Sequence, residues 1–284
     1  MNVLTRLISG VAAGGVIFGV LYLGARYDVR WISAGIMLPV AYIAAVEYLH
    51  LMRRLDIPLA APEFLIWIPL LVLSYVAFGG RYAEVVLLLA IAYQVLRYLG
   101  VQPHRTGFLQ AVAGVFGLLY IPWLLHYFYL IYMGAAGYPP HVGGVNAVIV
   151  LLMVWGYDAG AYFVGTAFGR HKAFPNVSPK KTWEGVAGGV AVAVAGGVIG
   201  ATLSPVWREL VFWGGFYHIL IAGLAVSCAT QLGDVFASKL KRAADVKDSG
   251  VFLPGHGGAL DRIDGLLFAL PVFYFYFHYI LRFL

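Results

Sequence analysis

Long apolar runs broken by short polar segments dominate this chain. A helix needs about 20 mainly apolar residues to cross a bilayer. Nine stretches approach that length: residues 6–25, 31–51, 58–79, 82–101, 108–133, 143–168, 185–204, 211–232 and 265–284. The pattern predicts an all-α, polytopic integral membrane bundle of about nine transmembrane helices. The first stretch, with Arg6 ahead of its apolar run, also has the layout of a cleaved signal peptide. Its apolar part is long for one and Leu21-Tyr22-Leu23-Gly24 is a poor cleavage site, so retention as an anchor is expected.

Composition strengthens this picture. Of 284 residues, 62% are hydrophobic and 11% charged, against roughly a quarter charged in an ordinary soluble domain. Too few charges are present to coat a soluble surface, and mean hydropathy is +0.84. Cys228 is the only cysteine, so no disulfide closes within the chain. No internal repeat, linker or low-complexity tract interrupts the pattern. Residues 1–284 therefore read as a single transmembrane domain, with spans alone over 1–140 and catalytic spans and loops over 141–284.

Charge orients the bundle. With nine spans, one face receives 14 of the 19 Lys and Arg and the other receives 5. The positive-inside bias places the richer face in the cytoplasm. A net charge of +6 suits contact with anionic headgroups. A multi-pass protein of the cell's inner (plasma) membrane is expected, with its polar loops facing the cytoplasm, membrane lipids around it and no nucleic-acid partner.

Two of those loops hold most of the chemistry. The first is Gly169–Gly185, which includes Ser178-Pro179-Lys180-Lys181-Thr182-Trp183-Glu184. The second runs from Gly233 to Gly265 and contains Lys239, Lys241, Arg242, Asp245, Lys247, Asp248, Asp261, Arg262 and Asp264. A charge at the bilayer centre costs at least ~2.5–3.5 kcal/mol, so this segment belongs at the interface or along a wet cavity. A merely solvated loop is the plainer reading. Against it, the acids and bases interleave with glycines and His256, and Asp234 and Asp264 bound the cluster.

Asp261 and Asp264 are three residues apart at a helix start, so both carboxylates can face one side, and Asp234 ends the preceding span. Hard cations such as Mg2+ take oxygen ligands, usually one or two carboxylates, with water and substrate phosphate completing the shell. Lys and Arg beside such a site point to phosphate groups. The glycines of His256-Gly257-Gly258 let a backbone approach phosphate, although a tight turn explains them more simply. Lys180 and Lys181 suit lipid headgroups as well as catalysis. Asp158 lies inside an apolar run, where an ionisable residue is a functional candidate or a buried hydrogen-bonding partner. The pairs Gly156/Gly160, Gly165/Gly169 and Gly185/Gly189, each four apart, predict close helix packing.

These residues resemble the phosphatidate cytidylyltransferases, or CDP-diacylglycerol synthases. The resemblance lies in Ser238, Leu240, Lys241-Arg242, Lys247-Asp248, Gly250, Leu253-Pro254, His256-Gly257-Gly258 and Asp261-Arg262-Ile263-Asp264, with all spacings kept. Ala259 departs from the pattern, which prefers a larger apolar residue there. Upstream, Gln231-Leu232-Gly233-Asp234, the Ser178–Gly185 loop and Asp158-Ala159-Gly160-Ala161-Tyr162 are similar to family segments. The specific motifs cover about residues 150–284; the N-terminal half matches only in being several spans.

The resemblance implies Mg2+-dependent transfer of a cytidylyl group from CTP to phosphatidic acid in phospholipid biosynthesis. It implies Asp234 and Asp261 as principal metal ligands, supported by Asp248 and Asp264, and suggests K+ at a paired site. On this reading Lys241, Arg242, Lys247 and Arg262 neutralise phosphate charge. Ser178, Lys180 and Lys181, with Ser238, His256, Gly257 and Gly258, bind substrate. A homodimer is left open. The nearest rivals are a CTP-dependent polyprenol kinase and an archaeal-type lipid cytidylyltransferase; an anion transporter is the rival from another class.

Overall fold

A computed structural model describes residues 15–24, 26–27, 29–80, 82–134, 140–203, 208, 216–250 and 257–280. The chain is almost wholly helical. In order come α1 (Gly15–Gly24), α2 (Trp31–Arg54), α3 (Ala61–Phe78), α4 (Ala83–Tyr98), α5 (His104–Leu118) and α6 (Leu124–Tyr132). A π-helical turn, Leu119–Trp123, joins α5 to α6. Then follow α7 (Pro140–Phe168), strands β1 (Lys172–Phe174) and β2 (Ser178–Thr182), α8 (Trp183–Leu203), α9 (Tyr217–Ala243) and α10 (Leu260–Phe275), which ends in a π-helical turn to Ile280.

Six helical stretches among the described residues are long and apolar enough to cross a membrane: α2, α3, α5 through α6, α7, α8 and α9. They fall on six of the nine stretches expected from the sequence. α4, at 16 residues, is shorter than the ~20 residues of a full span, and α10, also 16, continues through a five-residue π-helical turn to Ile280. Part of the first expected stretch, residues 6–14, lies outside the described residues. Large apolar side chains such as Leu88, Leu96 and Phe108 stand on the outer surface, as they do where lipid is the solvent.

Local chemistry explains the element ends. α3 opens with proline in its first turn, where the missing N–H costs nothing. It closes on Gly79 in the left-handed conformation at φ 60°, which glycine adopts without a Cβ penalty. α2 ends on Arg53 and Arg54, whose charges complement the negative end of the helix dipole. Pro122 lies in the π-helical turn between α5 and α6; proline cannot donate to the ladder, and the helix widens there and continues.

Glycine governs the packing of the second half. A Cβ at Gly160 would stand 2.8 Å from the carbonyl oxygen of Gly188, and one at Gly185 would stand 2.8 Å from that of Ala161. The backbones of α7 and α8 therefore touch, as the four-residue glycine spacing predicts. α9 and α10 meet in the same manner. A Cβ at Gly233 would be driven into the backbone carbonyl of Asp264, and one at Gly265 would lie 2.8 Å from the Thr230 methyl.

The second polar loop needs correction. Residues 233–243 are not loop: α9 continues unbroken past Asp234 to Ala243, and α10 has already begun at Leu260. The segment Asp234 to Ala243 is rich in good helix formers (Ala237, Lys239, Leu240, Lys241, Arg242). It ends on Lys241 and Arg242, which suit a helix C-terminus. Charge ends the apolar run but not the helix.

Candidate active site

The first polar segment folds as a two-stranded antiparallel hairpin, pairing Lys172 with Thr182 and Phe174 with Ser178. β2 runs directly into α8. The Thr182 hydroxyl accepts a hydrogen bond from the Gly185 N–H at 3.2 Å, satisfying one of the free donors that open a helix. Glu184, in the first turn of α8, accepts from the backbone N–H of Arg170 at 3.1 Å and pairs with His171 Nδ1 at 2.5 Å. The hairpin is thus pinned at its base to the tightly packed α7–α8 pair. Lys180 and Lys181 are presented from it toward the end of α9.

There they meet the acids of the other motif. A cavity of about 360 Å³ is lined by Lys180 and Lys181 from β2, Asp158 from α7, Asp234 and Lys241 from α9, and Asp261 and Asp264 from α10. The crossing of α9 and α10 at Gly233 and Gly265 is what sets Asp234 beside Asp264. Lys181 forms an ion pair with Asp234, and Ser238 Oγ donates to Asp234 Oδ1 at 3.3 Å. Lys241 Nζ pairs with Asp261 Oδ1 at 2.5 Å. The other oxygen of Asp261 accepts from the N–H groups of Ser249 and Gly258, each at 2.9 Å. Asp264 is buried, and its Oδ1 accepts the Gly265 N–H at 2.7 Å. Tyr157 donates to Gln231 Oε1 at 2.8 Å across the α7–α9 contact beside the cavity. Of the lining residues, Asp158, Tyr162, Thr166 and Lys180 are exposed.

The structure thus brings Lys180, Lys181, Asp234, Lys241, Asp261 and Asp264 together. Ser238 and Gly258 touch the acids from behind, and Gly257 adopts φ 76° next to Asp261. Other expected site residues are not among those that line this cavity. Arg242 donates to the Val246 carbonyl at 3.0 Å and closes the end of α9. Asp248 lines a separate cavity with Glu47, His50 and Arg54 of α2. Ser178, Lys247 and Arg262 do not line the site cavity, and His256 falls outside the described residues.

One residue escaped the motif reading. Glu47, buried in α2, accepts from Ser249 Oγ at 2.7 Å and from the N–H groups of Ala259 and Leu260, each at 2.8 Å. It reaches the C-terminal motif from the N-terminal half. The rule that marks Asp158, an ionisable residue within a span, marks Glu47 equally.

Among the described residues, no group of three or more His, Cys, Asp or Glu side chains is placed to hold a metal ion by itself. The donor set nevertheless has the right chemistry for a hard cation: the carboxylates of Asp234, Asp261 and Asp264 line one cavity, and Mg2+ usually takes only one or two from a protein, with phosphate and water supplying the rest. Asp234 is paired with Lys181 and Asp261 with Lys241.

A chain that spans the membrane and gathers four aspartates and three lysines in one cavity has the makings of a phosphate-transfer site. The model of the cytidylyltransferase family matches residues 4–280, and the chain belongs to that family. It is similar to the phosphatidate cytidylyltransferase of Bacillus subtilis (strain 168), with 33% identity over 278 residues, 95% of this chain and 96% of that one. The Haemophilus influenzae phosphatidate cytidylyltransferase is 44% identical over 139 residues, about half of each chain. That of Thermotoga maritima is 40% identical over 161 residues, 56% of each.

Proposed function

We propose that the protein joins CTP to phosphatidic acid, forming CDP-diacylglycerol and pyrophosphate. The observation that carries this reading is the single cavity in which lysines from the hairpin and from α9 face aspartates from α7, α9 and α10. A phosphatidate phosphate oxygen attacks the α-phosphorus of CTP. The new P–O bond forms as the bond from the α-phosphorus to the bridging oxygen of the β-phosphate breaks, and the electron pair leaves with pyrophosphate. Both reactants are polyanions, so the site must supply alignment and positive charge more than proton transfer.

Lys180, Lys181 and Lys241 supply that charge on this reading. In the structure Lys181 and Lys241 rest on Asp234 and Asp261. When phosphate draws the lysines away, the two carboxylates are released, and they are the residues that would hold Mg2+, with Asp264 in support. Bound Mg2+ would offset phosphate charge. Asp248, on a different cavity, has no part in this arrangement; K+ at a paired site belongs to the same proposal. The exposed wall at Tyr162 and Thr166 suits a lipid whose acyl chains stay in the bilayer. With nine crossings, most Lys and Arg fall on one face, and that bias supports a cytoplasmic site in the inner membrane.

Purified protein given phosphatidate, Mg2+ and labelled CTP decides the matter. Label at the α-phosphate is expected in the lipid extract and label at the γ-phosphate in aqueous pyrophosphate. Transfer of γ-label into lipid with release of CDP would mean a kinase and overturn the assignment.

A further inference from the structure

We propose that Glu47 is a positioning residue for the active site: from α2 it anchors the start of α10 and thereby places the carboxylate of Asp261. The inference rests on the functional reading above and extends it to a residue of the N-terminal half.

The first N–H groups of a helix have no partner within it. At the start of α10 the capping position is Ala259, which has no side chain able to accept them. Glu47 takes that role from 212 residues away. Its Oε1 accepts the Ala259 N–H, and its Oε2 accepts the Leu260 N–H and the Ser249 hydroxyl. Three hydrogen bonds from neutral donors satisfy a carboxylate that is 6% exposed, and the positive end of the helix dipole favours its charge.

The surrounding chain is shaped to admit it. A Cβ at Gly250 would stand 2.6 Å from Glu47 Oε1, and one at Gly258 would collide with Glu47 Oε2 and Ser249 Oγ. Both glycines belong to the C-terminal motif, and both leave room for this one carboxylate.

The consequence for Asp261 follows from shared partners. Ser249 gives its hydroxyl to Glu47 and its N–H to Asp261. Gly258, whose N–H also goes to Asp261, directly precedes Ala259, whose N–H goes to Glu47. Two carboxylates from opposite halves of the chain thus hold Ser249 and residues 258–260 between them. Removing the charge of Glu47 weakens one of these two holds, and Asp261 must then serve as anchor as well as reactive group. A glutamine at position 47 is nearly isosteric, but its NH2 would confront donors where Oε2 now accepts.

The test compares Glu47→Gln and the milder Ser249→Ala with wild type in detergent, by label transfer from α-labelled CTP and by amide hydrogen exchange. For Glu47→Gln the expected result is a kcat at least tenfold lower, with faster exchange confined to residues 249 and 258–261. Ser249→Ala is expected to lower kcat several-fold with the same local pattern. Unchanged exchange in that segment overturns the proposal, as does faster exchange spread over the whole bundle, which would make Glu47 a general stabiliser. A Glu47→Gln kcat within twofold of an active wild type also overturns it. Wild type that transfers no label would instead sink the functional reading, and the exchange pattern would still decide the role of Glu47.

Discussion

Asp261→Asn is expected to lower turnover at least ~100-fold, the scale on which removal of a preorganised charged group acts, while the protein stays folded in detergent. The side chain sits where four constraints meet: the Lys241 ammonium, the N–H groups of Ser249 and Gly258, and the cavity itself. Asparagine keeps the volume and one acceptor. It loses the charge, and its NH2 turns a donor toward the three partners of Asp261, all of which are donors. Lys241 is then left in the cavity without its counter-ion. Folding should survive, because Glu47 still holds the start of α10 and the glycine crossings are untouched. Turnover by size-excluded, monodisperse protein is the measurement, and activity within tenfold of wild type would remove Asp261 from the reacting groups.

Gly233→Ala is expected to be as damaging by another route. A methyl there would be forced against the Asp264 carbonyl and the Gly265 Cα. Both are backbone, so neither can rotate away, and overpacking of this kind costs about 1–3 kcal/mol or more. The helices must separate, and Asp234 on α9 then moves relative to Asp261 and Asp264 on α10. A lower melting temperature together with lost turnover is expected. Leu232→Ala, one residue away on the exposed surface, serves as the control and should leave both nearly unchanged. Equal stability of Gly233→Ala and wild type would show that α9 and α10 do not cross where the structure places them.

The two variants mark what sequence could and could not reveal. Apolar runs located six of the spans because length and apolarity together decide whether a helix can cross a bilayer, and glycines four apart identified backbone contact between α7 and α8. The spacing of Asp261 and Asp264 indicated a common side, and both line the cavity. By contrast, polarity after Gly233 suggested that the helix had stopped. Helix formation depends on backbone and side-chain propensity, which Ala237 to Arg242 satisfy whatever their polarity. Proximity along the motif also failed for Asp248, which faces α2 and lies on another cavity. Glu47 was invisible as a partner of the motif, since nothing in a linear pattern pairs residues 212 apart.

The glycine-lined seam between α7 and α8 has a mechanical effect on the chemistry. Side chains can repack when disturbed, but two touching backbones have no such slack, and β2 enters α8 with no intervening linker. Lys180 and Lys181 therefore ride on a stiff lever whose fulcrum is buried among glycines. A bulky residue introduced deep in that seam would tilt the lever's far end, so in this half of the chain harmful substitutions need not lie near the substrates at all.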